Sequence, residues 1–141
     1  MRHAGAGPAT LGRPEMIDHI NPPTVHPPQF YSHAVAADGP RRIVWISGQV
    51  GAAPDGTVPE GIEAQTRQAA ANVIAVLEAA GLTVRDLVKL TIYLTDPAQA
   101  EGFGPAAAAL LTDPPAATTM VVVRALASPR LLVEIEAVAA A

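Results

Sequence analysis

An α+β fold, a single mixed β-sheet with two helices packed on one face, is what three features of this sequence predict. A helical apolar period occupies residues 62–80. Clean two-residue alternation marks 88–95 and 131–138, and β-branched residues fill 118–123 almost without interruption. Taken with two shorter strand candidates near the start, the order reads β-β-α-β-α-β-β, which two helices can cover on one side only. The length of 141 residues suits one domain with a real core and is short for two.

Residues 1–15 are rich in Gly, Ala, Pro and Arg without a period, so they read as a flexible N-terminal tail, and residues 16–141 as the domain. Met16 opens an extended surface lead-in, kept non-helical by the prolines at 22, 23, 27 and 28. The first strand candidate is Phe30–Ala36, closed by Asp38-Gly39-Pro40. The second is Ile43–Ile46, apolar on both faces, and the two are expected to pair as a hairpin.

Beyond the Asp55-Gly56 turn, Ile62, Ala69, Val73, Val76, Leu77 and Ala80 recur at helical spacings, and Gly81 supplies the stop. In the strand from Val88 to Thr95, Val88, Leu90, Ile92 and Leu94 face one way and Lys89, Thr91, Tyr93 and Thr95 the other; Asp96-Pro97 ends it. A second helix is expected through Ala106–Leu111, after Gly102, Gly104 and Pro105. Thr118–Val123 reads as a central strand covered on both sides. In the last strand, Leu131–Val138, the carboxylates of Glu134 and Glu136 share a face. The sheet face away from the helices must then be solvated or covered by another subunit, and the apolar strands at 43–46 and 118–123 favour covering.

Composition excludes several classes of function. Half of the residues are apolar, but only five are aromatic, so the core rests on aliphatic side chains and gains from an oligomeric interface. A net charge of −4, with nine Lys and Arg in no cluster, offers no footprint for a phosphate backbone, so nucleic acid is not an expected partner. There is no cysteine, and His3, His19, His26 and His33 form no metal motif; they read as solvated loop histidines, with His33 set apart because it lies two residues after Tyr31. No phosphate loop, nucleophile elbow or dinucleotide fingerprint is present, so neither metal nor cofactor is expected. With no apolar run of membrane-spanning length and no apolar leader, membranes are excluded and the expected location is the cytoplasm.

Several short motifs follow one another in an order that resembles the RidA/YjgF family. They are Asn21-Pro22, Tyr31-Ser32-His33-Ala34-Val35, Ser47-Gly48-Gln49-Val50, Gln65-Thr66, Asn72, Leu77-Glu78-Ala79-Ala80-Gly81-Leu82, Val88-Lys89-Leu90-Thr91 and Val133-Glu134-Ile135-Glu136-Ala137. The resemblance runs from about Met16 to the C-terminus. It implies a chorismate-mutase-like subunit that assembles as a homotrimeric barrel, with small-molecule clefts between subunits. It also implies cofactor-free hydrolysis of enamines and imines to 2-oxo acids and ammonia. Older names in the family include endoribonuclease.

The resemblance assigns Glu134 as the catalytic residue that positions water. Ser47 and Gly48 match the place where hydrogen bonds are offered to ligand, and Tyr31 matches a cleft-lining aromatic. The same resemblance puts residues 104, 117 and 119 at the cleft, and here the chain departs from the family. Active deaminases carry an arginine directly after the Pro-Ala pair, a bidentate clamp for the substrate carboxylate. This chain has Pro115-Ala116-Ala117, followed by Thr118 and Thr119, and Gly104 falls where a cleft asparagine is usual. Arg124 and Arg130 lie nearby without occupying the matching position.

Three readings follow. The first is a RidA-like deaminase whose activity is weakened or altered by Ala117. The second is a non-catalytic metabolite-binding or regulatory trimer. The third, an endoribonuclease, is disfavoured by the acidic charge.

Overall fold

The structure, a computed structural model, describes residues 16–141; the expected tail, 1–15, lies outside them. Eight principal elements follow in order: β1 (Ile17–Ile20), β2 (Ala34–Ala37), β3 (Ile43–Val50), α1 (Ile62–Ala79), β4 (Leu87–Leu94), α2 (Ala100–Ala106), β5 (Ala117–Val122) and β6 (Val133–Ala140). Strands β3-β6-β4-β5 form a four-stranded mixed sheet; β4 and β5 are parallel, and the other pairs antiparallel. The last strand thus inserts between the first and second strands of a β-α-β unit.

The mixed α+β architecture with two helices agrees with the sequence, but the expected single sheet is two: a two-stranded β1-β2 ladder stands apart from the four-stranded sheet. Helix α1 buries Ala69, Ala70, Val73 and Leu77 against β3 and β6. Its end is closed by backbone bonds from Gly81 N–H to the Glu78 carbonyl and from Leu82 N–H to the Leu77 carbonyl, both 2.9 Å, with Gly81 at φ 76°. Phe103 of α2 joins the same core, so both helices lie on the face carrying Ile46, Leu90, Ile92, Val133, Ile135 and Ala137. The opposite face carries Trp45, which is 73 % exposed, together with Lys89, Thr91 and Glu136.

Four further expectations are corrected. The hairpin does not form: β2 pairs with β1 in register Ile17 to Ala37, and β3 pairs with β6. The prolines turn only residues 22–28 into loop; the four proline-free residues before them are free to take a ladder, so the lead-in contains a strand. Second, the expected helix at 106–111 begins earlier, at Ala100. It is preceded by a 3-10 turn, Pro97–Gln99, in which the Asp96 side chain accepts from Ala98 N–H (2.8 Å) and Gln99 reaches back to Asp96 N–H (3.2 Å). That capping overrides the low helix propensity of Gly102 and Gly104. Residues Ala108–Leu110 are a further 3-10 turn.

Third, β5 is an edge strand of the chain rather than a central one, with Met120 and Val122 exposed at 41 % and 47 %. Its β-branched side chains fit any pleated surface and do not specify a central position. Fourth, the last strand starts at Val133, because the Gln65 side chain takes the place of a ladder partner: it accepts from Leu132 N–H and donates to the Arg130 carbonyl, both at 2.9 Å.

Candidate functional site

Strand β6 carries Glu134 and Glu136 on the face away from the helices, where they stand across from Tyr93 and Thr91 of β4. On its other side, β6 meets a bulge in β3: the register steps from Ile46 opposite Ala137 to Gln49 opposite Ile135, so Ser47 and Gly48 carry one extra residue. A Cβ atom on Gly48 would overlap the Glu134 carboxylate. Glycine therefore lets Glu134 lie directly on the main chain of the bulge, and any larger residue would displace it. Ser47 lines a depression of about 350 Å³ on the same face, with Trp45, Lys89, Thr91 and Glu136.

Electrostatics on this face centre on Tyr93. Its hydroxyl donates a hydrogen bond to Glu136 Oε1. That bond, followed by desolvation and the negative charges of Glu136 and Glu134, holds the phenol above its ordinary range. The chain's one lysine, Lys89, donates from Nζ to Thr119 Oγ1 at 2.7 Å. It makes no ion pair with any described residue. Ala117 pairs with Lys89 at the start of β5, and Thr119 pairs with Thr91.

Two expected site residues lie elsewhere. Tyr31 and Gly104 line a separate cavity on the helix side of the sheet, bounded by α2 and by β4 and β5. The Tyr31 ring meets His33 edge-on, with centroids 5.3 Å apart. A single chain thus gathers Ser47, Gly48, Glu134, Ala117 and Thr119 on one face and Tyr31 and Gly104 on the other side. Arg124 and Arg130 are exposed. Among the described residues, no group of three His, Asp or Glu side chains is placed to hold a metal ion, and no helix is long and apolar enough to cross a membrane.

His19 corrects the reading of loop histidines. It sits in β1, half-buried, with Nδ1 at 3.1 Å from Ser32 Oγ and 3.0 Å from the Pro115 carbonyl, which Ser32 also bonds at 2.6 Å. This tie fixes the loop just before Ala117. Sequence reasoning also missed Lys89 as a site residue. The signal was present: the alternation that sends Leu90 inward sends Lys89 to the carboxylate face.

The profile of the family described as endoribonuclease L-PSP matches residues 23–141. The chain is similar to the crystal structure of YyfB from Yersinia pestis, described as a Rid-family protein of unknown function. The two are 37 % identical, with a TM-score of 0.79, over 89 % of this chain and 99 % of that one. It is also similar to Escherichia coli TdcF, solved with bound serine, at 28 % identity and a TM-score of 0.65, covering 83 % and 90 % of the two chains. A shorter match joins it to the 2-iminobutanoate/2-iminopropanoate deaminase of Salmonella typhimurium, 47 % identical over 55 residues, or 38 % of this chain and 43 % of the enzyme. The chain spans about half the length, or less, of the curated relatives it matches. A profile match over most of the chain, supported by a Rid-family structure of the same architecture, establishes that it belongs to the endoribonuclease L-PSP family, the RidA/YjgF proteins.

Proposed function

We propose that this chain is an imine or enamine deaminase of the RidA type, altered in substrate choice by Ala117. The observation that carries the reading is the Glu134 carboxylate resting on the Gly48 main chain, a glycine-dependent placement that an idle surface carboxylate would not need. In this reading Glu134 holds a water and takes its proton as the oxygen bonds to the imine carbon. The C=N electron pair moves to nitrogen, which takes up the proton held by Glu134; the hydroxyl proton of the adduct then passes to nitrogen as the C–N bond breaks, releasing ammonia and a carbonyl product. Ser47 and the Gly48 main chain orient the reacting group, and no cofactor takes part.

The working unit proposed is a homotrimer of chorismate-mutase-like subunits in a barrel, built by residues 16–141 in the cytoplasm. The uncovered sheet face with Trp45 supports it, since so large an exposed aromatic beside Ile43 is costly in water. Assembly would also join the two separated groups: Tyr31 and Gly104 of one copy would meet Ser47, Gly48, Ala117, Thr119 and Glu134 of the next.

A non-catalytic metabolite-binding trimer is the second reading, favoured by Ala117 and Gly104, which remove two polar ligand-holders together. The endoribonuclease activity in the family's name finds no support in a net charge of −4. The deciding experiment measures solution mass and imine hydrolysis for the wild type and for Glu134→Gln. The expected result is three chain masses for both, with the rate falling about 100-fold or more in the variant. A monomer would refute the inter-subunit cleft. Unchanged turnover in Glu134→Gln would refute the mechanism, and no turnover in either trimer would favour the binding protein.

A further inference from the structure

On the helix side, α2 and the segment before β2 leave a cavity of about 640 Å³ against β4 and β5. Small-ligand pockets span roughly 300–1,000 Å³. Phe30, Phe103, Leu110 and Met120 contribute to its walls, and no charged side chain lines it. Its polar side chains are Tyr31 and Thr118, and the Thr118 hydroxyl already donates to the Ala116 carbonyl at 3.1 Å. A charged group entering this space would shed part of its hydration and find no counter-charge. Phe30 is 70 % exposed, an aromatic surface available to a ligand in the single chain.

Gly104 lies at the rim of this space, and packing does not require glycine there. It has no positive φ, and a Cβ built on it would meet nothing within 4 Å. Gly102, two residues earlier, is different: a Cβ there would fall 2.8 Å from Ile62 Cγ2, so the approach of α2 to α1 demands glycine at that position. Gly104 is itself exposed, so a side chain there would stand in open space at the rim of the cavity.

We infer that this cavity receives the apolar part of the substrate, an aryl or branched alkyl group of about six to ten carbons, and that the preferred imines carry no carboxylate. The inference rests on the deaminase reading and its inter-subunit cleft for the reacting end of the molecule, which meets Glu134 of another copy, and on the cavity lining for the apolar end. The reaction is hydrolysis of R–CR′=NH by water to R–CO–R′ and ammonia, without an oxidant or other co-reactant.

The test is calorimetric titration of the full chain with phenylacetone and with phenylpyruvate, which share a benzyl ketone and differ by a methyl group in place of a carboxylate. Phenylacetone should bind at least about tenfold more tightly. Gly104→Leu should weaken it about tenfold or more with the melting temperature maintained, and the milder Gly104→Ala should weaken it less. Tighter binding of phenylpyruvate overturns the inference; if Lys89→Met then abolishes that binding, the ligand is an acid held on the sheet face. No binding of either ketone to the folded protein also overturns it, with the cavity then covered by another copy. Phenylacetone binding without any imine hydrolysis upholds the ligand class and sinks the deaminase reading. Hydrolysis of amino-acid-derived imines without phenylacetone binding does the reverse.

Discussion

The two sides of the sheet differ more in chemistry than in shape. The outer face gathers two carboxylates, a phenol, the single lysine and the hydroxyls of Ser47, Thr91 and Thr119, whereas the helix-side cavity is lined by no charge at all. Proton handling belongs where charges can be stabilised by neighbours and water; recognition of an apolar group belongs where water is excluded. What neither side supplies is an arginine fork for a carboxylate. Lys89 on the outer face keeps donors free after its bond to Thr119, but it is a point charge and not a bidentate clamp. In the proposed reading the chain separates chemistry from recognition and lacks the arginine that would tie the second to amino-acid-derived substrates.

The sharpest way to break this division is to put the cation back. Ala117→Arg should raise hydrolysis of imines derived from ordinary amino acids by roughly 30- to 1000-fold, equivalent to about 2–4 kcal/mol for a bidentate, partly desolvated clamp. Lys89 pairs with residue 117 across β4 and β5, so the new guanidinium would meet a like charge, costing about 1 kcal/mol at 4 Å in water. The double variant Ala117→Arg/Lys89→Met should then outperform the single one. Release of 2-oxo acid from an imine generated in place reads the outcome. A folded Ala117→Arg protein with no gain would mean that the outer face does not receive carboxylates at all.

The alternating strands were legible because one buried face leaves a two-residue signature: Leu90, Ile92 and Leu94 in β4, and Val133, Ile135 and Ala137 in β6, are buried as their spacing predicts. Helix α1 was legible for the same reason at its own period. Strand pairing was not, since Ile17 to Ile20 carries no composition that distinguishes a ladder from an extended lead-in. The face that carries Glu134 could be read, but its contact with Gly48 depends on a bulge between residues 46 and 49 that no local pattern announces. Least visible were the polar residues that hold the frame. Gln65 and Asn72 look like surface positions on a helix. Yet Gln65 is buried and bonded to Pro59, Arg130 and Leu132, and Asn72 Nδ2 donates to the carbonyls of Val50 and Ala52.

Gln65 gives the next test, because its bonds hold the start of β6, which serves both sides of the sheet. Gln65→Leu keeps much of the volume but leaves two carbonyls and one N–H without their partner. At about 1 kcal/mol or more for each group, the loss should be near 3 kcal/mol, a fall in melting temperature of roughly 6–12 °C. Thermal unfolding checks it. A fall under about 3 °C would show that water replaces the amide, and that the two sides are less firmly coupled through β6 than the hydrogen bonds suggest.

The smallest expected effect sharpens the contrast by pH. Tyr93 donates to Glu136 and is held above its ordinary value of about 10, first by that bond and then by desolvation and the charges of Glu136 and Glu134. The folded state therefore keeps the phenolic proton to higher pH than the unfolded chain does. Its contribution is fully present below the unfolded value and is lost as pH rises through the raised folded value. Other groups of the protein also ionise at alkaline pH, so the alkaline limb of the wild type alone does not isolate the phenol. The comparison with Tyr93→Phe does. The stability difference between the two proteins should stay constant from pH 7 to 9 and narrow above pH 10, as followed by melting temperature in matched buffers. A difference that holds unchanged to pH 11 would mean that the tyrosine contributes by packing alone, and that the carboxylate face does not discriminate between the phenol and its anion.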